Sequence, residues 1–236
     1  MPTRTEVRST HLRAFRLPGS RTALVPDQAV LLAGDRVEVS VRVASGASLE
    51  IVEPGGTVAY AMRGAQAAWD VRIEVEDGGR LVWDGRPFVV AEGADVTRRV
   101  EVDVAGTATV SLRETLVLGR TGEGPGRLRS VSRVRRAGTA VLVEDLDSRT
   151  GLGLHRVLDQ VLHLGLACQV HATQTMVLES GDTMHRWLGS ATHLSPLRGI
   201  CQSSASPEYA TTPLLSDRTT SRAESRSSLS PAASAT

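Results

Sequence analysis

A two-residue alternation of valine with polar residues, repeated between positions 29 and 147, constrains the fold of this chain most. Successive side chains of a β-strand point to opposite faces, so this alternation predicts strands with one buried face. The clearest run is Val37–Val43, and similar runs surround Ile73, Val102 and Val131. Turn signals separate the runs, at Ser45-Gly46, Asp77-Gly78-Gly79, Glu92-Gly93 and Ala105-Gly106.

Four segments share a loose plan of a glycine turn, an alternating strand and then an acidic residue. They run from Gly46 to Glu53, from Gly79 to Asp84, from Gly106 to Glu114 and from Gly138 to Glu144. The spacing is irregular, so the repeat is weak; it suits stacked or wrapped windings of strands better than a closed barrel. The chain is therefore predicted to be mostly β, as an irregular solenoid-like stack of sheets.

The pattern changes after Asp147. Apolar residues then fall at helical spacing and Gly165 can end a helix, which predicts one or two short helices in the C-terminal third. The apolar residues concerned are Leu154, Val157, Leu158, Val161 and Leu162. A short strand is predicted near Thr175–Leu178 and a short element over Met184–Leu188. Residues 203–236 are rich in Ser, Thr, Ala and Pro, so a disordered tail is predicted behind a single β-rich domain of residues 1–202.

Composition excludes several classes of protein. The net charge is only +1 with both signs interspersed, which argues against nucleic acid or an anionic membrane as a partner. All 27 basic residues are arginine, so there is no P-loop or Schiff-base lysine, and the loop from Gly119 to Gly126 is interpreted as a β-β connection. No run approaches the ~18 apolar residues of a membrane helix, and the N-terminus lacks a signal-peptide core. A cytoplasmic protein is expected.

Acidic residues recur where the predicted strands end. They are Glu53, Asp84, Glu92, Glu114, Glu144 and Asp145. One interpretation is ordinary solvation of strand ends. The other is a line of oxygen ligands along one layer of the sheet, which would hold a divalent ion loosely and let it move on. For that metal path the candidates are Glu53, Asp84, Glu92 and Glu114, with no catalytic residue and no tightly bound cofactor.

Paired carboxylates also suit a second class of function, a β-rich carbohydrate-binding module or hydrolase. Such proteins normally carry aromatic sugar platforms, and the only tryptophans here are Trp69, Trp83 and Trp187. The aromatic-rich turn from Trp83 to Phe88 either packs one layer on the next or presents Phe88 to a partner.

Histidine and cysteine give weaker signals. Cys168 and His171 form a C-x-x-H pair, which is half of a zinc or nickel site, but no second pair stands at suitable spacing. His155 and His163 roughly share a face of the predicted helix, where packing or surface roles are the simpler interpretation. Asp35 is interpreted as a turn residue or a cap of local backbone amides.

Two charges, Arg113 and Glu114, interrupt the apolar run from Val110 to Leu118. A sheet that half-buries charges usually has a reason, such as a partner or a polar path. The block that contains them, R-E-T-L-V-L-G-R, resembles the matching block of the urease accessory protein UreD (UreH) family. Other blocks in family order resemble its actinobacterial form: L-L-A-G-D-R-V, G-A-S-L-E-I-V-E-P-G-G-T-V-A-Y, A-A-W-D-V-R-I, F-V-V-A-E-G-A-D-V and L-V-E-D-L-D.

The resemblance extends from about Leu24 to Leu197, after which the chain departs from the family pattern. It implies a non-enzymatic chaperone of urease maturation with a mostly β, solenoid-like fold. It also implies binding to UreF, recruitment of the GTPase UreG through UreF, and docking on apo-urease. Nickel would then pass in transit through a polar tunnel. Glu53 and Glu114 lie within matching blocks and are candidate tunnel linings.

Overall fold

The computed structural model describes residues 5–166 and 174–203, which form two facing β-sheets. In chain order the strands are β1 Glu6–Ser9, β2 Leu12–Leu17, β3 Arg21–Pro26, β4 Arg36–Val43, β5 Ser48–Val52, β6 Thr57–Ala59, β7 Ala67–Val75, β8 Arg80–Asp84, β9 Phe88–Val90, β10 Asp95–Val104, β11 Thr109–Leu118, β12 Arg127–Arg136, β13 Thr139–Asp147, β14 Val157–Leu164, β15 Thr175–Val177 and β16 Thr183–Gly189. Short helices are α1 Ser148–Gly151, a 3₁₀ turn Thr192–Leu194 and α2 Ile200–Ser203. The mostly β prediction is confirmed.

The first sheet has the order β1-β4-β7-β10-β12-β13, and the second has the order β15-β16-β14-β11-β8-β5-β3-β2. Three successive windings cross from the first sheet to the second, from β4 to β5, from β7 to β8 and from β10 to β11. Parallel pairing stacks each winding on the next in both sheets. The result is the solenoid-like stack that the alternation and the glycine turns predicted.

The glycine turns of three predicted repeats, at Gly46, Gly79 and Gly106, connect the two sheets in these windings. The fourth predicted repeat, from Gly138 to Glu144, is wrong as a winding. Ala137 and Gly138 both have positive φ, 49° and 79°, which is the backbone of a tight hairpin turn. The chain therefore reverses there, and β13 pairs antiparallel with β12 as the edge strand of the first sheet.

The core lies between the two sheets. The valines of β4 at positions 37, 39, 41 and 43 are buried, and their polar neighbours in the strand are exposed. Equivalent positions stack across windings, because Val39 pairs in register with Val71 and Val71 with Val100. Each buried valine contributes about 1.5 kcal/mol from the removal of apolar surface from water. The alternation predicted from the sequence therefore becomes the inward face of each strand.

The helix predicted from Leu154 to Leu162 is wrong, because residues Val157–Leu164 form the strand β14, buried along its whole length. Its two faces lie against different partners. Leu158, Leu162 and Leu164 face the core between the sheets, and Val161 packs under the segment that contains Leu197. A strand covered on both faces has apolar residues on both, so the two-residue period is lost and the run cannot be distinguished from a helix.

The segment 190–203 lies on the outer face of the second sheet. Leu197, Ile200 and Cys201 form a small apolar cluster there with Val161. The strand predicted near Thr175 and the element predicted over Met184–Leu188 are confirmed as β15 and β16. The predicted tail of residues 203–236 lies almost entirely outside the described residues. Within the described ranges, no helix has the length and apolar character needed to cross a membrane.

Candidate functional site

The second sheet contains a break that places polar groups in its inward face. The first two windings bend at residues 53–56 and 85–87, whereas β11 continues straight past both bends. As a result β11 pairs with β8 through Thr109–Arg113 and with β9 through Leu116–Leu118. The bend comes close to β11 because residue 85 is glycine: a Cβ there would lie 2.5 Å from the carbonyl oxygen of Arg113. Glu114 on β11 stands opposite this break.

Glu53, in the first bend, points toward the core. Its carboxylate accepts hydrogen bonds from Trp83 Nε1 at 2.7 Å and from the backbone N–H of Arg86 at 2.9 Å. Burial raises the pKa of Glu53, while these two donors and the charge of Arg98 act in the opposite direction. The fold therefore holds a partly desolvated carboxyl group at the break and supplies it with two fixed donors.

Glu114 forms an ion pair across the core. Arg98, on β10 of the first sheet, donates through Nη1 to Glu114 Oε1, and both side chains are about nine-tenths buried. The guanidinium of Arg98 also lies 6.0 Å from the centroid of the Phe88 ring. Arg98 Nε is buried and makes no hydrogen bond within residues 5–166 and 174–203. The two sheets are thus bridged at this level by a charge pair in place of apolar contact.

The polar contacts continue along the stack from Glu114. Gln160 on β14 donates through Nε2 to Glu114 Oε2 at 2.8 Å, and its Oε1 accepts from Arg186 Nη2 at 2.7 Å. Arg186, on β16, in turn donates twice to Glu144 on β13, at 2.6 and 2.7 Å. We call Glu53, Arg98, Glu114, Gln160, Arg186 and Glu144 the interior row.

The interior row passes from the first winding to the far edge of the stack. Arg186 and Glu144 are 21% and 24% exposed, so the row reaches solvent where β13 and β16 face each other. Along the row, negatively charged carboxylates alternate with positively charged guanidinium groups, and the neutral amide of Gln160 lies between Glu114 and Arg186. A buried row of this kind costs desolvation energy that apolar side chains would avoid. It therefore needs an explanation beyond packing.

A small cavity adjoins the inner part of the row. Its lining includes Glu53, Arg98 and Glu114 together with Trp69 and Trp83, and its volume is about 30 Å³. That volume holds about one water molecule, whereas sites for drug-sized ligands measure about 300 Å³ or more. A sugar ring does not fit beside these carboxylates, so the cavity does not serve the carbohydrate hypothesis.

A second polar cluster occupies the opposite, outer face of the same strands. Asp159 on β14 is fully buried, and its carboxylate accepts from Arg113 Nε at 3.0 Å and Nη2 at 2.8 Å. It also accepts from Thr115 Oγ1 at 2.9 Å and from Ser195 Oγ. Asp84 lies 3.4 Å from Arg113 Nη1. We call these five residues the outer cluster; it fastens segment 190–203 to the second sheet.

With this geometry in place, comparison with known proteins decides the family. The sequence profile described as UreD urease accessory protein matches residues 14–228, almost the whole chain. The chain belongs to the UreD family. The match extends further at both ends than the resemblance carried by the sequence blocks, which ran from about Leu24 to Leu197.

Several curated relatives carry the name urease accessory protein UreD. UreD 1 of Streptomyces griseus is 48% identical over 153 residues, which cover 61% of this chain and 60% of the relative. UreD 2 of Saccharopolyspora erythraea is 36% identical over 166 residues, 64% of this chain and 58% of the relative. UreD of Streptomyces coelicolor is 35% identical over 185 residues, covering 73% and 72%. The chain thus spans about 60% of the length of the first two relatives.

The structure of this UreD family member brings together two of the four residues predicted for a metal path. Glu53 and Glu114 both belong to the interior row, as does Glu144 from the wider set of acids. Asp84 lies in the outer cluster, on the other face of the second sheet. Glu92 is exposed in the turn after β9, where it accepts a hydrogen bond from the backbone N–H of Gly124 at 3.0 Å. Their role as metal ligands stays a prediction.

Three members of the row, Arg98, Gln160 and Arg186, were not among the predicted site residues. A signal for Arg98 was present, since it occupies the inward phase between Val96 and Val100 where another valine is expected. Gln160 carries the same signal in weaker form between Leu158 and Leu162. What the sequence does not contain is the pairing across sheets, which depends on which windings face each other.

Histidine and cysteine add no metal centre to the described residues, where no group of three or more His, Cys, Asp or Glu side chains is arranged to hold an ion. Burial, with the charge of His185, lowers the pKa of His163 to about 4. Burial raises the pKa of Cys201 to about 12, so it is not a thiolate at neutral pH. The predicted Cys168–His171 pair lies outside the described residues.

Two local interpretations of the sequence are confirmed. Asp35 caps a turn, because its carboxylate accepts from the backbone N–H of Leu32 at 2.7 Å. The aromatic turn packs one layer on the next: Phe88 of the second sheet meets Trp69 of the first edge-to-face, with ring centroids 5.3 Å apart. Phe88 is buried, so it is not presented to a partner.

Proposed function

We propose that this UreD family member acts in urease maturation as a non-enzymatic scaffold that helps deliver nickel to the urease active site. In this proposal it binds UreF, reaches the GTPase UreG through UreF, docks on apo-urease, and works in the cytoplasm. Family membership supports the general role. The interior row is the observation that supports passage of an ion through the protein itself.

The chemistry of the row suits transit better than storage. Its acidic members, Glu53, Glu114 and Glu144, offer carboxylate oxygens, whereas divalent nickel is held more strongly by imidazole and thiolate. Each acid already has a protein donor, so no carboxylate of the row is a bare buried charge before an ion arrives. Oxygen ligands spaced along a row therefore allow an ion to be passed on where a closed cage would retain it.

The proposal assigns no turnover to this chain. The cavity beside Glu53 and Glu114 holds about one water molecule, which leaves no room for an organic substrate. The rival function, a carbohydrate-binding module or hydrolase, also needs aromatic rings open to a sugar beside its paired carboxylates. Trp69, Trp83 and Phe88, which line the cavity at Glu53 and Glu114, are buried between the sheets.

The first test is co-expression with the urease structural genes and the other urease accessory genes of the same source, with nickel in the medium. We expect urease activity to fall at least about tenfold when this chain is omitted, and tagged chain to retain UreF and apo-urease during purification. Full urease activity without the chain, together with no retained partner, would contradict the proposed function.

A second test addresses the row. Glu53→Gln and Glu114→Gln keep side-chain size and remove one charge each, so we expect urease activation and urease nickel content to fall about tenfold or more in each variant. Asp145→Asn is the matched control, since Asp145 neighbours Glu144 but points outward, where it pairs with Arg129. Equal loss in all three variants would point to misfolding and not to a path.

A further inference from the structure

Arg98 differs from the other members of the interior row in how its hydrogen bonds are satisfied. All three guanidinium nitrogens of Arg186 donate hydrogen bonds. Nη1 and Nη2 donate to Glu144, and Nε and Nη2 donate to Gln160 Oε1. Arg98 makes one hydrogen bond, from Nη1 to Glu114, and its buried Nε has no acceptor among the described residues. Its guanidinium is held instead by a charge pair and by the face of Phe88. Arg98 is therefore the least fixed charged group in the interior row.

Arg98 places a positive charge beside both inner acids of the row. Arg98 lines the same cavity as Glu53 and Glu114, and its charge acts on both carboxylates. The guanidinium of Arg98 thus supplies a fixed positive charge beside both acids. A divalent cation approaching within about 4 Å of that charge would be strongly repelled in the interior of a protein.

We propose that Arg98 is the gate of the interior row: paired with Glu114 it excludes cations from Glu53 and Glu114, and it must release Glu114 for a divalent cation to pass. This inference rests on the proposed function, since it assumes that the row carries nickel. The adjoining cavity has room for about one water molecule, which can take the place of Arg98 at Glu114 Oε1, and Gln160 still donates to Glu114 Oε2. In this proposal the positive charge of Arg98 is replaced at Glu114 by the nickel ion while the ion passes.

Removing the guanidinium of Arg98 should leave Glu53 and Glu114 free to bind and retain a divalent cation. In Arg98→Gln the two carboxylates lose their resident cation, so Ni²⁺ should bind the purified full-length chain at least about tenfold more tightly than wild type. The double variant R98Q/E114Q should lose that gain, because one carboxylate is gone. Arg99→Gln is the matched control: Arg99 is the next residue on β10, points outward and pairs with Asp70. It should bind Ni²⁺ as wild type does.

Thermal unfolding with and without Ni²⁺ extends the test to a variant that folds poorly. A bound ion stabilises only the folded state, so saturating Ni²⁺ should raise the Tm of R98Q by about 5 °C and leave wild type and R99Q unchanged. An R98Q chain with wild-type Ni²⁺ affinity, or one that stays unfolded even with Ni²⁺ present, would overturn the gate. So would a gain in affinity that survives in R98Q/E114Q.

These binding measurements do not require urease, which separates the gate from the function on which it rests. Loss of urease activation in Glu114→Gln without any gain of Ni²⁺ binding in R98Q would leave the scaffold standing and reject the gate. If R98Q binds Ni²⁺ tightly but urease maturation does not need this chain, the gate would stand and the proposed function would be rejected. With both correct, R98Q should also reduce urease activation, because the ion is retained.

Discussion

Two neighbouring residues of β11, Arg113 and Glu114, point to opposite faces of the same sheet and enter two very different polar clusters. On the outer face Asp159 is fully buried and both of its oxygens are saturated by Arg113, Thr115 and Ser195. On the inner face Glu114 has one donor on each oxygen, and its partner Arg98 keeps an N–H that no acceptor among the described residues uses.

The two clusters differ in how readily their charged side chains can change hydrogen-bond partners. A buried charge with every lone pair matched is rigid, and losing one partner is severe. The outer cluster has that property and ties segment 190–203 to the sheet. A buried pair with a spare donor and a cavity of about one water beside it can change partners more easily. The interior row has that property, and it reaches from the first winding to an exposed edge.

The largest expected effect comes from breaking the outer cluster. Asp159→Asn keeps the shape but removes the negative charge and one of the two acceptor oxygens. Among the described residues Arg113 then pairs with a carboxylate only at Asp84, through the longer contact, so the free energy of unfolding should fall by about 3–5 kcal/mol. Urea denaturation at pH 7.5 measures this. Asp145→Asn removes an exposed partner of Arg129 and should change stability by less than about 1 kcal/mol. A loss below about 1 kcal/mol for Asp159→Asn would show that the two clusters do not differ as described.

A smaller effect is expected from pH, acting on the same outer face. The pKa of His163 is about 4 in the folded chain, below the usual 6.5, so between these values the unfolded chain binds more protons. Stability should therefore be full above pH 6.5 and decline as pH falls toward 4, by on the order of 2 kcal/mol. Urea denaturation at several pH values checks this. In His163→Gln the decline should be shallower, and an identical decline would assign it to other groups.

The smallest effect is expected at an acid that belongs to neither cluster. Glu92 is exposed and accepts one backbone hydrogen bond from Gly124, so Glu92→Gln should cost about 0.5–1 kcal/mol of stability. It should leave urease activation within about twofold of wild type, because Glu92 is off the interior row. A loss of activation as large as that of Glu114→Gln would extend the path to the turn after β9.

Much of the fold could be predicted from the sequence because one face of most strands is exposed. The alternation around Val39, Ile73 and Val102 then marks the strands and their inward faces, and the turns at Gly46 and Gly79 mark the windings. The prediction was wrong where this condition does not hold. β14 is covered on both faces, so its apolar residues resemble those of a helix. The turn at Gly138 reverses the chain where the repeat suggested another winding.

The sequence by itself determined that this chain is a β-stack of the UreD type, and that Glu114 is a charge within an apolar run. The resemblance of two sequence blocks to the family singled out Glu53 and Glu114 together, but it did not show that their side chains point inward. The partners of these acids are decided only by tertiary structure, because Arg98 and Glu114 come from different sheets and Arg186 and Glu144 from strands far apart in the chain. Whether a buried charge is fastened or exchangeable depends on those partners, which no local pattern encodes.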